Sequence, residues 1–209
     1  MRRITYLLPA ILLVFGTVAL GDILNSKHDL RPSSTGPQSG NTIGGLTEIC
    51  LPCHTPHNSD TSVTEAPLWN HQLTTQSFQM YTTLQGRTGD PDGASKLCLS
   101  CHDGVTAMDN YGGNTSGSQN MTDAGGFGVV VGTDLQNDHP IGLSYPPPDS
   151  TNYETAANVK AAGLRLPVNG SEERVECQSC HDPHTTTNGF FLRIDNTVDS
   201  DLCRVCHTL

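Results

Sequence analysis

Aromatic side chains are scarce in this sequence, and basic ones are few. Phe, Trp and Tyr together make up 5% of the 209 residues, and hydrophobic residues of every kind 35%. That is a meagre supply for an interior of this length, so something besides side chains has to fill it. Lys and Arg number 11 against 21 Asp and Glu, which leaves no basic patch for a nucleic-acid partner. No cysteine stands outside a C-x-x-C pair, so no thiol is spare for another task. Glycine and proline are plentiful, at 21 and 13 residues, alongside many Asn, Ser and Thr. Such a composition predicts long loops and few regular elements.

The length fits one domain or at most two small ones. The first residues read as an export signal: Arg2 and Arg3 form a positive start, Ile4 to Leu20 an uncharged apolar stretch, and Ala19 and Gly21 a cleavage site before Asp22. We therefore expect a signal peptide over 1–21 and a single mature domain over 22–209. A retained anchor is the competing reading, but an apolar stretch interrupted by Pro9 and Gly16 is short for a membrane span. The first cysteine is Cys50, so no lipid-anchor cysteine is expected at the end of the leader. Without Arg2 and Arg3 the chain keeps 9 basic against 21 acidic residues, a formal −12. The acidity suits a protein that works outside the cytoplasm.

All eight cysteines fall in four pairs, each followed at once by histidine: Cys50-Leu-Pro-Cys53-His54, Cys98-Leu-Ser-Cys101-His102, Cys177-Gln-Ser-Cys180-His181 and Cys203-Arg-Val-Cys206-His207. C-x-x-C-H is the attachment site of heme c. Two thiols one helical turn apart can reach the two vinyl groups of one porphyrin, and the adjacent His then lies under the iron as proximal ligand. Disulfides or zinc are the rival uses of such cysteines. Neither accounts for a histidine after every pair, which chance would place there on the order of a few times per million. The expected cofactor is therefore heme c, four per chain and covalent, with macrocycles supplying the core that the side chains lack. At ~400 Å² of apolar surface each, burial contributes ~10 kcal/mol per heme. The fold class that follows is mostly irregular coil, with short α-helices at the attachment sites and little β structure, wrapped around a heme stack.

Four of the nine histidines are proximal, which leaves His28, His57, His71, His139 and His184 for four open iron faces. Every iron can thus be bis-His, a ligand set that implies comparatively low potentials. Met80, Met108 and Met121 compete weakly. His57 and His184 each sit three residues after a proximal His, in His54-Thr-Pro-His57 and His181-Asp-Pro-His184. A residue one turn beyond a proximal ligand lies on the same side of the porphyrin and has to serve a neighbouring heme. His139, in Asn-Asp-His-Pro-Ile-Gly, stands in a turn stiffened by Pro140, with Asp138 as a possible orienting acceptor. His28 is near the start of the mature chain, where ligation would pin an otherwise loose arm. His71, beside Trp69, reads either as a ligand or as a packed residue, with packing the better fit.

The motifs start at 50, 98, 177 and 203, with no fixed repeat. Asn110 to Gly128 is expected as a surface loop, Val129 to Val131 as a short buried strand, and Thr155 to Ala162 as one or two helical turns. Phe190 to Ile194 is expected as a strand or extended cover over a heme. Asp90-Pro-Asp92-Gly is a plain turn rather than a cation loop. Asn114, Asn120 and Asn169 begin N-x-S/T triplets, whose modification depends on the source.

Cys-His-Thr-Pro-His, Ala-Pro-Leu-Trp-Asn-His, Asp-His-Pro-Ile-Gly, Cys-His-Asp-Pro-His and the terminal C-x-x-C-H together resemble the tetraheme outer-surface cytochromes of the OmcE type, which polymerise into extracellular conducting filaments. The likeness spans nearly the whole mature chain. It implies bis-His hemes in a continuous stack and one heme completed by a histidine of the next subunit, here His57. Attachment motifs near both ends of the chain suit head-to-tail stacking, and a heterologous interface that does not close gives an open filament. The expected role is electron transfer without catalysis, in an extracellular or cell-surface homopolymer that exchanges electrons with redox proteins or extracellular acceptors. A monomeric periplasmic shuttle is the alternative. A multiheme reductase fits less well, because every motif ends in His and spare ligands outnumber irons.

Overall fold

The computed structural model describes residues 22–35, 40–62, 66–81, 91, 93–123, 126, 128–148 and 150–208. The expected leader, and Asp90 and Asp92 of the expected turn, lie outside the described residues. Most of what is described is turn and irregular chain. Regular structure is confined to helices α1 (Gly93–His102), α2 (Ala156–Ala161), α3 (Cys177–Cys180) and α4 (Asp201–Arg204) and strands β1 (Leu143–Ser144), β2 (Val168–Asn169) and β3 (Glu172–Val175). This is the irregular fold with short helices and little strand that the composition implies. Among the described residues no helix is long and apolar enough to cross a membrane.

Three of the helices carry attachment motifs, and each is short because its sequence stops supporting it. In α1, Ala94, Leu97 and Leu99 are buried together with Ser95 and Ser100, and Gly104 beyond its end takes a left-handed φ of 73°. Thr155 caps α2 by accepting a hydrogen bond from the Asn158 amide at 3.2 Å, so the expected helical turns form there. The strands make one antiparallel sheet in the order β1-β3-β2, with Leu143 opposite Val175 and Val168 opposite Glu173.

Among the described residues, buried side chains do not gather into one core. They divide into four clusters, around Tyr145, Val159, Leu164 and Leu166; Ile43, Leu46 and Met108; Ala66 and Leu97; and Phe78, Leu99 and Leu135. Such small clusters give the described chain little apolar core of its own. The loop from 110 to 123 is held by side chains standing in for a ladder. Asn110 accepts from the Gly117 amide at 2.7 Å, Asp109 from the Gln119 amide at 2.9 Å, and Asn41 from the Thr122 amide at 2.8 Å. A Cβ at Gly117 would stand 2.4 Å from the Asp109 carboxylate, so a larger residue there would force that side chain to move.

Two expectations need correction. Val129 to Val131 is no strand, and neither is Phe190 to Ile194, where Phe190 and Phe191 take left-handed φ values of 45° and 58°. In both segments the backbone bonds to an attachment motif rather than to a ladder, as described below.

The link between the second and third motifs is polar and buried. Ser95 of α1 donates to the Glu176 carboxylate, the Cys177 amide donates to Ser95 Oγ at 3.0 Å, and the Glu176 amide donates to Ser179 Oγ at 2.9 Å. Glu176→Ala leaves the buried Ser95 hydroxyl without its acceptor, a loss of about 1–3 kcal/mol. A thermal melt of the variant should show a midpoint lower by several degrees, with Glu176→Gln between it and the parent; an unchanged melt for the alanine variant would contradict the role given to this link.

Candidate functional site

Each C-x-x-C-H motif is wound into a helical turn that puts both thiols and the histidine on one side. The amides of His54, His181 and His207 donate to the carbonyls of Cys50, Cys177 and Cys203 at 2.8, 3.0 and 2.9 Å. Cys98, Cys101 and His102 form the end of α1. The first motif achieves this in turns alone.

A returning segment then clamps each histidine. His54 faces Trp69, His181 faces Leu192 and His207 faces Tyr153 in isolated antiparallel bridges. The three clamps share one pattern. The residue after the histidine donates back to the segment, as Thr55 to Leu68, Asp182 to Phe191 and Thr208 to Asn152. The segment donates to the carbonyl of the second cysteine, from Asn70 to Cys53, Arg193 to Cys180 and Glu154 to Cys206. At the second motif, Val131 and Gly132 donate to the His102 carbonyl at 2.9 and 3.1 Å.

The same segments set the tautomer. His54 Nδ1 lies 3.0 Å from the Pro67 carbonyl, His102 Nδ1 2.6 Å from that of Val129, and His181 Nδ1 2.9 Å from that of Phe190. A carbonyl only accepts, so Nδ1 carries the proton and Nε2 keeps the lone pair an iron needs. This is the orienting hydrogen bond that metal-bound histidines make. Sequence reasoning missed these acceptors because a backbone carbonyl leaves no signature in residue type. Leu68 and Phe191, each just before its bridging residue, pay with left-handed φ values of 60° and 58°.

Two of the spare histidines meet proximal partners. The His28 ring stands 6.3 Å from that of His102, with 72° between the planes, and the His184 ring 6.1 Å from that of His54, with 20°. An iron–imidazole bond of about 2.0 Å on each side, plus about 1.1 Å from nitrogen to ring centre, separates two axial imidazole centres by about 6.2 Å. Trp69 lies equally far from His54, but an indole has no lone pair to offer. Burial first, and then the charge of His102, pushes His28 down to about 4, which keeps it neutral as a ligand must be. Burial also lowers His102.

The other candidates are placed differently. His71 is buried, with Nδ1 2.8 Å from the Gln72 carbonyl and Nε2 3.4 Å from Cys101 Sγ, so it packs on the sulfur side of the second motif. His139 is exposed, its Nδ1 3.1 Å from the Pro140 carbonyl and its own carbonyl accepting from Tyr81 Oη at 3.1 Å. His57 is exposed as well, and its amide lies near Thr55 Oγ1. Among the described residues no second histidine ring pairs with His181 or His207. Met108 and Met121 lie in one apolar cluster and Met80 in another.

The motifs follow one another in space. The Cys98 thiol bonds the Cys177 sulfur, which raises the first group and lowers the second. Burial and then the neighbouring Cys53 raise Cys101, and burial and then Cys206 push Cys180 up to about 11. The residues fit heme on three counts: thiol pairs on one helical turn, free Nε2 lone pairs, and histidine pairs spaced for an iron. Two buried donors beside motifs, Trp69 Nε1 and Gln178 Nε2, have no partner among the described residues, and acceptor groups on a bound cofactor would complete them.

Residues 167–208, which hold the third and fourth motifs, match the doubled CXXCH motif family. No curated protein matches the chain. The doubled motif is that of multiheme c-type cytochromes, and it marks this chain as one that binds heme c covalently and transfers electrons.

Replacing either paired histidine should open one iron. His28→Ala and His184→Ala should each keep the full covalent heme content and gain one high-spin ferric component in the visible spectrum, whereas His71→Ala should stay fully low-spin. A high-spin component in His71→Ala, or none in the other two, would contradict the pairing.

Proposed function

We propose that all four motifs carry heme, that every iron is bis-His, and that the chain is the subunit of an extracellular conductive filament. The observation that carries this reading is the exchange of histidines between motifs. His184 from the third motif meets His54 of the first, and the N-terminal His28 meets His102 of the second. Ligands given across sites hold the sites together, so that electrons pass along a row of close neighbours. Each bound heme supplies a one-electron ferric/ferrous couple. The chain supplies the rest: thiols that anchor, carbonyls that fix each proximal ring, and distal rings that close the iron to small molecules. With no open iron face there is no site for catalysis, which supports a carrier rather than an enzyme.

His181 and His207 then take their second ligands from His139 and His57. His139 acts within its own subunit. His57 is exposed and stands three residues past His54, as His184 stands past His181 and meets another motif. It completes a heme of the adjacent subunit, that on His207, in keeping with the resemblance to filament-forming cytochromes. An iron–imidazole bond between copies joins head to tail, and repetition of that contact gives an open polymer. The polymer works outside the cell, exchanging electrons with redox proteins or extracellular acceptors and binding no nucleic acid. The second reading, a monomeric periplasmic shuttle, keeps the same four sites and leaves His57 within the chain.

Negative-stain images of the purified secreted protein should show filaments. His57→Ala should give heme-loaded monomers or short oligomers with one high-spin heme per chain. Normal filaments with an unchanged spectrum in that variant would remove His57 from the interface, and a monomeric parent protein would favour the shuttle.

A further inference from the structure

The two histidine pairs differ in one respect that spacing does not explain. The imidazole planes of His28 and His102 stand 72° apart, while those of His54 and His184 are only 20° apart. Relative orientation of axial imidazoles governs the electronic ground state of low-spin ferric iron. Near-parallel planes split the two π-type d orbitals and give a rhombic magnetic signal. Near-perpendicular planes leave those orbitals almost degenerate and give a single, strongly anisotropic signal at large g.

An imidazole on one iron bond is free to rotate about it, and two neighbours restrain His28: the Pro183 carbonyl, which accepts its hydrogen bond, and a stacked aromatic ring. The Phe191 ring lies against His28, 4.2 Å between centroids and 12° between planes. Rotation of the imidazole out of this stack would drive its edge into the phenyl face. The phenyl ring is itself fixed by the backbone. Phe191 and Phe190 are both left-handed, a conformation that bulky side chains rarely take. Three bonds hold it: the Asp182 amide donates to the Phe191 carbonyl at 2.7 Å, His181 Nδ1 to that of Phe190 at 2.9 Å, and the Arg193 amide to that of Cys180 at 2.8 Å. The strained dipeptide thus clamps the proximal ligand of the third motif with a carbonyl and the distal ligand of the second with a ring.

We propose that Phe191 is a positioning residue that sets the imidazole plane of His28 near perpendicular to that of His102, so that one heme of the chain is electronically distinct from the heme held by His54 and His184. The inference rests on the reading that His28 and His102 share an iron. Through Phe190 and Phe191 that plane is tied to the seat of His181, which gives two neighbouring hemes a common mechanical support.

Electron paramagnetic resonance of the oxidised full-length protein tests this. The parent should show a large-g signal together with rhombic signals. Phe191→Leu should keep the covalent heme content and a fully low-spin visible spectrum, yet lose at least half of the large-g intensity to lower g. Phe191→Tyr, which keeps a stacking ring, should retain the parent signal, so that loss in the leucine variant is not mistaken for general misfolding. An unchanged large-g signal in Phe191→Leu, or equal loss in both variants, overturns the positioning role while the histidine pairing stands. If His28→Ala leaves the large-g signal intact, the pairing itself is wrong and the proposal goes with it.

Discussion

The histidine three residues past the proximal ligand of the third motif faces another motif rather than its own, and that arrangement organises much of this molecule. In the stretch from His181 to His184 the last ring meets His54 of the first motif. The same four residues do more. His181 is the proximal ligand of the third motif, and the carbonyl of Pro183 accepts a hydrogen bond from His28, the partner of His102. The Asp22 amide bonds the His184 carbonyl at 2.9 Å, which docks the start of the described chain on the same stretch. Three attachment motifs therefore meet at one tetrapeptide.

The energetics follow from that arrangement. Four small apolar clusters cannot stabilise a chain of this length as one core would. Hydrogen bonding between motifs and returning segments, the buried Ser95–Glu176 link and covalent cofactor attachment carry the remainder. Asp103, next to His102, illustrates the local cost. It is buried and accepts from Thr74 Oγ1 and Thr106 Oγ1 at 2.7 Å each and from the Val105 and Thr106 amides at 2.8 Å each. Four donors around one carboxylate fix the turn that leaves the second motif.

The four C-x-x-C-H motifs were legible in the sequence because each is spelled by five consecutive residues. So was the helical turn after Thr155, whose cap is local. The strand expected at Val129 to Val131, and the strand that was one of two readings of Phe190 to Ile194, did not form, and both outcomes have one cause. Each segment has the apolar character of a buried strand, but its carbonyls are drawn to the imidazole of His102 or His181. A sequence pattern shows that a segment is apolar; it does not show what its backbone bonds to. Which spare histidine meets which proximal one is likewise a long-range outcome, written in the fold and in no local motif.

With histidine on both faces of every iron, as proposed, an added gas finds no vacant position. Titration of the reduced, assembled protein with carbon monoxide tests that ligation most directly, because the gas binds only where a ferrous iron has a free or easily displaced face. The reduced spectrum should scarcely change as carbon monoxide is added. Binding of one equivalent per chain, with the matching loss of a low-spin band, would contradict the proposed ligation and would point to an open iron and to chemistry beyond electron transfer.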